Sequence, residues 1–158
     1  MQDKPVVVAV SGAFDPLHIG HLRLFRDARA LGDKLVVILN DDAWLLRTKG
    51  YVFMPQGERK ELFESICWVD EVVIREPRDT YDVGHMLEKL DISIFANGGV
   101  YRTSEREIHE TAVCKRRNIK MVFNVGDRAK PQSSSLIIEN LAGQVTDIDK
   151  LRETGKAM

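Results

Sequence analysis

The chain has 158 residues, 44% of them hydrophobic and 30% charged, with a formal net charge of −1. That composition suits one globular domain with a sizeable core, and it excludes a strongly basic surface built for nucleic acid or anionic membrane. Cys67 and Cys114 are too few and too far apart for a zinc site or a disulfide framework, which points to free thiols in a reducing compartment and to no protein-held metal.

The opening, Met1-Gln2-Asp3-Lys4-Pro5, leads into no long apolar run. Neither a signal peptide nor a membrane span is expected, and the chain reads as cytoplasmic. Residues 6–10 form a nearly all-apolar run ending at Ser11-Gly12, as a buried parallel strand does. Leu17, His21, Leu24, Ala28 and Leu31 then step by four and three, a helical stripe, with Gly32 expected at C′. Residues 34–40 predict a second strand, closed by Asn40-Asp41-Asp42. Residues 43–55 read as a short helix followed by a loop. Pro55 opens another helix with Leu62, Phe63 and Ile66 on its apolar side. Residues 69–74 predict a third strand, and Thr80 is the expected N-cap of a helix ending near Leu90. A fourth strand, 92–96, runs into Asn97-Gly98-Gly99. Ser104 and Glu107 resemble a capping box for a helix reaching Asn118. Residues 119–125 give a fifth strand and 133–141 a last helix. The expected organisation is one domain, residues 1–142, with a polar tail, 143–158.

Strand and helix alternate five times, which predicts a doubly wound, Rossmann-like α/β fold: a five-stranded parallel sheet with helices on both faces. Ligands in such sheets lie beyond the carboxyl ends of the strands. The chemically notable residues fall there: Gly12 to His21, Asp41 and Lys49, Asn97 to Gly99, and the segment from Gly126 to Ser135.

Gly12-Ala13-Phe14-Asp15-Pro16-Leu17-His18-Ile19-Gly20-His21 is the most informative stretch. It places a glycine turn between a strand and a helix start. Unpaired amides and the positive dipole end there suit phosphate. Gly12 offers close backbone approach to a ligand. His18 and His21 are three apart and share a face once the helix has begun. Two imidazoles so placed can donate to a phosphoryl group as its charge develops. A pair of unrelated surface histidines would need several coincidences. His85 and His109 lie in predicted helices among charged residues and are expected to be surface residues without a role. Asp15 is expected to be structural, capping the turn.

The stretch resembles the signature G-x-F-D-x-x-H-x-G-H of the cytidylyltransferase-like nucleotidyltransferase superfamily. The closest likenesses are glycerol-3-phosphate cytidylyltransferase and the adenylyltransferase domain of heptose-phosphate enzymes; flavin-forming adenylyltransferases are a third. The resemblance implies catalytic roles for His18, His21 and Lys49. It implies nucleotide contacts at Gly12, Ala13, Phe14, Asn97, Gly98 and Gly99. It places the β- and γ-phosphates at Ser133, Ser134 and Ser135, with Arg128 or Lys130 as the accompanying cation. Asp42 and Arg59 would face phosphates or the acceptor. Lys49 and Arg59 could equally be solvated surface charges, and the serines a plain helix cap. Val100 stands where the family usually has an acidic residue.

The implied reaction moves a nucleoside monophosphate, CMP favoured, from a triphosphate to a small phosphorylated acceptor such as glycerol phosphate or a sugar phosphate. Mg²⁺ would arrive with the triphosphate and keep several waters. An adenylyltransferase using ATP is the alternative, and an inactive nucleotide-binding module is the rival of another class. A class I aminoacyl-tRNA synthetase fragment would need more chain, a lysine-rich second signature and basic charge. No nucleic-acid or membrane partner is expected. A homodimer is expected, partly from the resemblance and partly from Trp44, Leu45, Leu46 and Trp68.

Overall fold

The computed structural model describes residues 4–99, 108–126 and 132–144. In order it contains β1 (Val7–Gly12), α1 (Ile19–Arg29), β2 (Lys34–Leu39), α2 (Asp42–Lys49), α3 (Gln56–Glu64), β3 (Glu71–Ile74), α4 (Gly84–Lys89), β4 (Ile94–Gly98), α5 (Thr111–Arg117), β5 (Lys120–Val125) and α6 (Ser134–Gln144). The five strands form one parallel sheet in the order β3-β2-β1-β4-β5. The expected doubly wound, Rossmann-like α/β sheet is therefore present. β1 lies between β2 and β4, so the strand order reverses beside it, the usual place for a ligand in such sheets.

Alternation along the strands sorts the core into two layers. Val8, Val10, Leu35, Val37, Leu39 and Val72 point to one face, where they meet Phe25 and Ala28 of α1 and Phe63 of α3. Ala9, Val36, Ile38 and Phe95 point to the other, against Met86 and Leu87 of α4 and Cys114 of α5. Both faces are covered, which is why the strands read as continuous apolar runs. No helix among the described residues is long and apolar enough to cross a membrane.

Several boundaries differ from expectation. α1 ends at Ala30, and Gly32 stands beyond it; a Cβ there would come within 2.6 Å of the Val6 carbonyl, so this glycine serves close packing rather than the helix end. On α3 the buried residues are Arg59 and Phe63, while Leu62 is exposed. α4 begins at Gly84; Thr80 does not cap it, because its carbonyl accepts from the buried Arg75 instead. α5 begins at Thr111, with the expected capping box at Ser104 outside the described residues. His109 is exposed as expected but sits in a turn, and His85 lies in a helix as expected but is half-buried. α6 continues to Gln144, past the expected tail boundary.

What holds the sheet's carboxyl edge in shape is a pair of fully buried arginines. Arg59 donates from Nε to the Met54 carbonyl at 2.8 Å and from Nη1 to those of Ala13 and Asn40 at 2.7 and 3.0 Å. Its Nη2 reaches Asp42 Oδ1 at 2.6 Å. Arg75 follows β3 and pairs with Asp41, itself buried, at 3.0 Å. It also donates to the carbonyls of Thr80 and Asp82. The consecutive aspartates at the start of α2 are thus each held by a guanidinium inside the protein. Removing one partner of a buried pair strands the other charge and costs about 3–5 kcal/mol. Arg75→Met is therefore expected to lower the unfolding free energy by about that amount in urea titration; a loss below about 1 kcal/mol, typical of a surface pair, would contradict this role.

Candidate active site

The turn after β1 is folded back on itself. Phe14 has φ +51°, a left-handed conformation rarely adopted by a bulky residue. Its ring lies where a Gly12 Cβ would be, 2.8 Å from the nearest ring carbon. The bare Cα of Gly12 thus accommodates the Phe14 ring. Edge contacts with Phe25 and Phe63, at 5.0 and 5.8 Å between centroids, hold the ring in the core. Such strain is kept where the surroundings over-determine it, and often at functional sites. Asp15 is completely buried, and its carboxylate accepts the amides of Phe53 and Met54 at 2.7 and 2.8 Å. Its role is structural as expected, but it ties in the loop after α2 rather than capping the turn.

His18 and His21 close the start of α1 in an unusual way. His18 is the N-cap residue, and its Nδ1 accepts the Gly20 amide at 3.1 Å. His21, three residues on, accepts the His18 amide on its own Nδ1 at 3.3 Å. This is the reciprocal geometry of a capping box with imidazoles in place of hydroxyl and carboxylate. A nitrogen that accepts cannot carry the ring proton, so both rings are assigned as the tautomer with hydrogen on Nε2. The rings stack at 3.6 Å, and the Phe14 edge packs on His21 at 4.9 Å. Burial first, then the charges of His18 and Lys49, push the His21 pKa down to about 3. The helix start therefore presents His21 as a neutral imidazole, a hydrogen-bond donor through Nε2.

Lys49 ends α2, where Gly50 at φ +80° stops the helix. Its ammonium is half-buried and its pKa is lowered by that burial; Asp15 opposes the shift and Arg59 adds to it. Lys49, His21 and Ser134 share a cavity of about 290 Å³ with Ser11, Gly12, Ala13 and Phe14 at the end of β1. Asn40, Trp44, Tyr81, Val83 and Glu110 complete its wall. Asn40 follows β2 and Trp44 stands on α2; Tyr81 and Val83 precede α4, and Glu110 precedes α5. Trp44 Nε1 donates to the Tyr81 carbonyl at 3.1 Å, and Arg47 to that of Arg78 at 2.6 Å, so α2 and segment 78–82 are joined as one wall.

Other expected residues lie elsewhere. Arg59 is wholly inside and does not line the cavity, so it holds backbone and Asp42 instead of facing a phosphate as expected. Both carboxylate oxygens of Asp42 are engaged, by Arg59 and by the Gln56 amide, which likewise makes it structural. Asn97 is buried, with Nδ2 turned to the Phe95 carbonyl at 3.4 Å, and it does not line the cavity. Gly98 receives the Leu24 side chain, and Gly99, at φ +90°, faces open space. The serines act largely as a cap. Ser133 Oγ accepts the Leu136 amide at 3.0 Å, Ser134 Oγ donates to the Pro16 carbonyl at 2.9 Å, and Ser135 is exposed. The Ser134 bond nevertheless brings the start of α6 to the loop that leads into α1. Arg128, Lys130 and Val100 lie outside the described residues. Among the described residues no three His, Cys, Asp or Glu side chains gather as a metal site.

The sequence reading missed Arg75, Asn40, Tyr81 and Glu110. Nothing in the sequence marks an arginine after Val72-Val73-Ile74 as buried. Glu110 was hidden inside a helix expected to start at Ser104; the real start at Thr111 puts it at the sheet's carboxyl edge.

Comparison with known proteins adds the following. The profile of the family described as Cytidylyltransferase-like matches residues 9–140. An ethanolamine-phosphate cytidylyltransferase of Arabidopsis thaliana is 43% identical over 106 residues, covering 60% of this chain and 25% of that protein. An FAD synthase of Aciduliprofundum boonei is 35% identical over 116 residues, covering 73% of this chain and 74% of that protein. The chain thus spans about a quarter of the plant relative and about three quarters of the archaeal one. The crystal structure of the lipopolysaccharide core biosynthesis protein from Thermoplasma volcanium superposes with a TM-score of 0.61 at 22% identity, covering 78% of this chain and 99% of that one. At that identity the likeness concerns the fold alone.

The low pKa of His21 has a consequence for stability. The unfolded chain protonates this ring near about pH 6.5, whereas the folded one does so only at about 3. Its contribution is fully present above the unfolded value and is lost as pH falls through the window between the two. The slope approaches about 1.4 kcal/mol per pH unit. NMR titration should find the His21 ring neutral down to about pH 4, and His21→Gln should flatten the acid limb of stability. A His21 midpoint near about 6.5 would refute the buried, neutral assignment.

Proposed function

The chain belongs to the cytidylyltransferase-like family, and on that premise we propose that it transfers a nucleoside monophosphate from a nucleoside triphosphate to a small phosphorylated acceptor. The observation that carries this reading is the pair of stacked histidines at the start of α1, each of which caps the helix through Nδ1. An acceptor phosphate oxygen attacks the α-phosphorus in line. The new P–O bond forms as the bond to the β-phosphate oxygen breaks, and pyrophosphate leaves. Little covalent work falls to the protein, so positioning and charge stabilisation dominate. His18 and His21 donate hydrogen bonds to the α-phosphoryl oxygens as charge shifts toward the leaving group. Lys49 holds a phosphate across the cavity as a point charge. The starts of α1 and α6, brought together by Ser134 and Pro16, offer their amides to the β- and γ-phosphates.

Mg²⁺ fits this reading only as a partner of the triphosphate. Both oxygens of Asp15 and of Asp42 are taken up within the protein, so neither of these two carboxylates is free to hold the ion. Bound to phosphate oxygens and water, the ion would neutralise charge on the leaving group. CMP transfer is favoured. The backbone at Gly99 faces open space, which suits the polar edge of a small base, and the plant relative is a cytidylyltransferase. The FAD synthase relatives favour the second reading, AMP transfer from ATP. The domain that performs this is residues 1–142, and the protein works as a homodimer. Leu45 is core, however, and of the four residues behind the dimer expectation Leu46 is the most exposed, at 57%.

Two measurements check the reading. A pyrophosphate-release screen with CTP and ATP against a set of phosphate monoesters should give turnover with CTP above ATP. His18→Ala and His21→Ala should each lower kcat by about 10²–10³-fold with much less effect on triphosphate binding. Near-normal turnover in both variants removes the catalytic assignment. For the assembly, sedimentation at micromolar concentration should show a species of twice the 17.9 kDa chain mass; a monomer alone would count against it.

A further inference from the structure

The cavity joins the two layers of the fold. His21 comes from α1, on one face of the sheet, and Lys49 interacts electrostatically with it. Val83 and Glu110 come from the α4–α5 layer on the other face. The carboxyl ends of β1 and β2 form the floor between, through Ser11 to Phe14 and Asn40. Charge therefore changes sign across one small space, from the Lys49 ammonium to the Glu110 carboxylate.

Glu110 is an unusual lining group. It is only 8% exposed, yet no cation among the described residues forms an ion pair with it. One oxygen accepts the Val83 amide at 3.2 Å. A buried carboxylate with a single neutral donor is poorly compensated, and it gains much from a cation that arrives with a ligand. Two aromatic side chains, Trp44 and Tyr81, line the same cavity, and Tyr81 is 62% exposed. Aromatic faces attract cations. The Asn40 amide, 94% buried by its 6% exposure, also lines the cavity, and its Oδ1 has no partner among the described residues. Turned by half a rotation, that amide offers its oxygen to a donor in the cavity.

We propose that this cavity is the acceptor subsite and that its acceptor is a phosphomonoester carrying an ammonium group. The phosphate lies toward Lys49 and His21, and the ammonium lies against Glu110, Trp44 and Tyr81. Specificity resides in Glu110, because a hydroxyl in place of the ammonium leaves its charge buried and unpaired. This assignment rests on the nucleotidyl-transfer reading only for the word acceptor; the recognition chemistry stands on the cavity itself.

The test is calorimetry on the whole chain with O-phosphoethanolamine, glycerol 3-phosphate and flavin mononucleotide, each with and without the α,β-methylene analogue of CTP. O-phosphoethanolamine should bind about tenfold more tightly than glycerol 3-phosphate, the range for a cation gaining a carboxylate and aromatic faces. Glu110→Gln keeps an acceptor for the Val83 amide, so the fold should hold, and it should abolish the preference without weakening glycerol 3-phosphate. Tyr81→Ala removes an exposed ring but keeps the carbonyl that binds Trp44, and it should weaken only the ammonium ligand. The proposal is overturned if glycerol 3-phosphate or flavin mononucleotide binds as tightly as O-phosphoethanolamine, if Glu110→Gln weakens all ligands alike, or if it weakens the CTP analogue instead. Selective, Glu110-dependent binding without pyrophosphate release from any acceptor would sink the nucleotidyl-transfer reading and leave this recognition intact.

Discussion

Everything at the carboxyl edge of this sheet depends on two guanidinium groups buried below it. Arg59 and Arg75 hold the neighbouring Asp42 and Asp41, and through them the first turn of α2. Arginine suits this place because it stays charged when buried and presents several donors in a fixed plane. Arg59 uses four hydrogen bonds to join four segments: the loop after α2, the turn after β1, the end of β2 and α2 itself. Asp42 and Gln56 also exchange amide bonds, which fixes the starts of α2 and α3 to each other. A buried ion pair is weak evidence for net stability. Its value here is positional, since Lys49 and Trp44 ride on the helix it orients.

The second constraint is the crowded turn after β1. Phe14 accepts an unfavourable backbone conformation, and its ring seals the space between Gly12, Phe25, Phe63 and His21. Strain of about 1–3 kcal/mol is tolerated when packing over-determines the residue. The same turn delivers His18 to the N-cap position, where a hydroxyl or carboxylate usually stands. Nδ1 of each ring satisfies the helix start, which leaves the ring proton on Nε2, the opposite edge. A protonated ring would lose the cap, so burial and the cation at Lys49, which keep His21 neutral, also keep the helix start intact.

Most of the architecture could be read from the sequence because both sheet faces are covered, and such strands are long apolar runs bounded by turns. The stretch from Gly12 to His21 was legible for another reason: its special residues are contiguous. What was not legible is what depends on distant partners. Arg59 looked like a surface or phosphate-binding cation, and only the four segments around it show that its charge is consumed inside. Asn97 looked like a base reader, but its amide turns back into its own strand. Thr80 looked like a cap, yet Arg75, five residues earlier, claims its carbonyl. Polar residues near strand ends have two fates, facing ligand or holding backbone, and local sequence does not separate them.

The two halves of the site are built on different principles, and that bears on how its specificity is set. The groups at the end of β1 and the start of α1 sit in one short stretch, where Phe14, His18 and His21 pack on one another and Asp15 is buried beside them. The far wall is assembled from α2, segment 80–83 and the residue before α5. Around segment 78–82 its bonds run largely to backbone carbonyls, those of Arg78, Thr80, Tyr81 and Asp82, while the Val83 amide is held by the Glu110 carboxylate. A carbonyl is present whatever the side chain. The side chain at position 81 is therefore free to vary without loosening the wall, and it faces the cavity from a fixed frame. A scaffold of this kind lets one reaction centre serve different acceptors, because the backbone fixes where the wall stands and the side chains alone decide what it recognises.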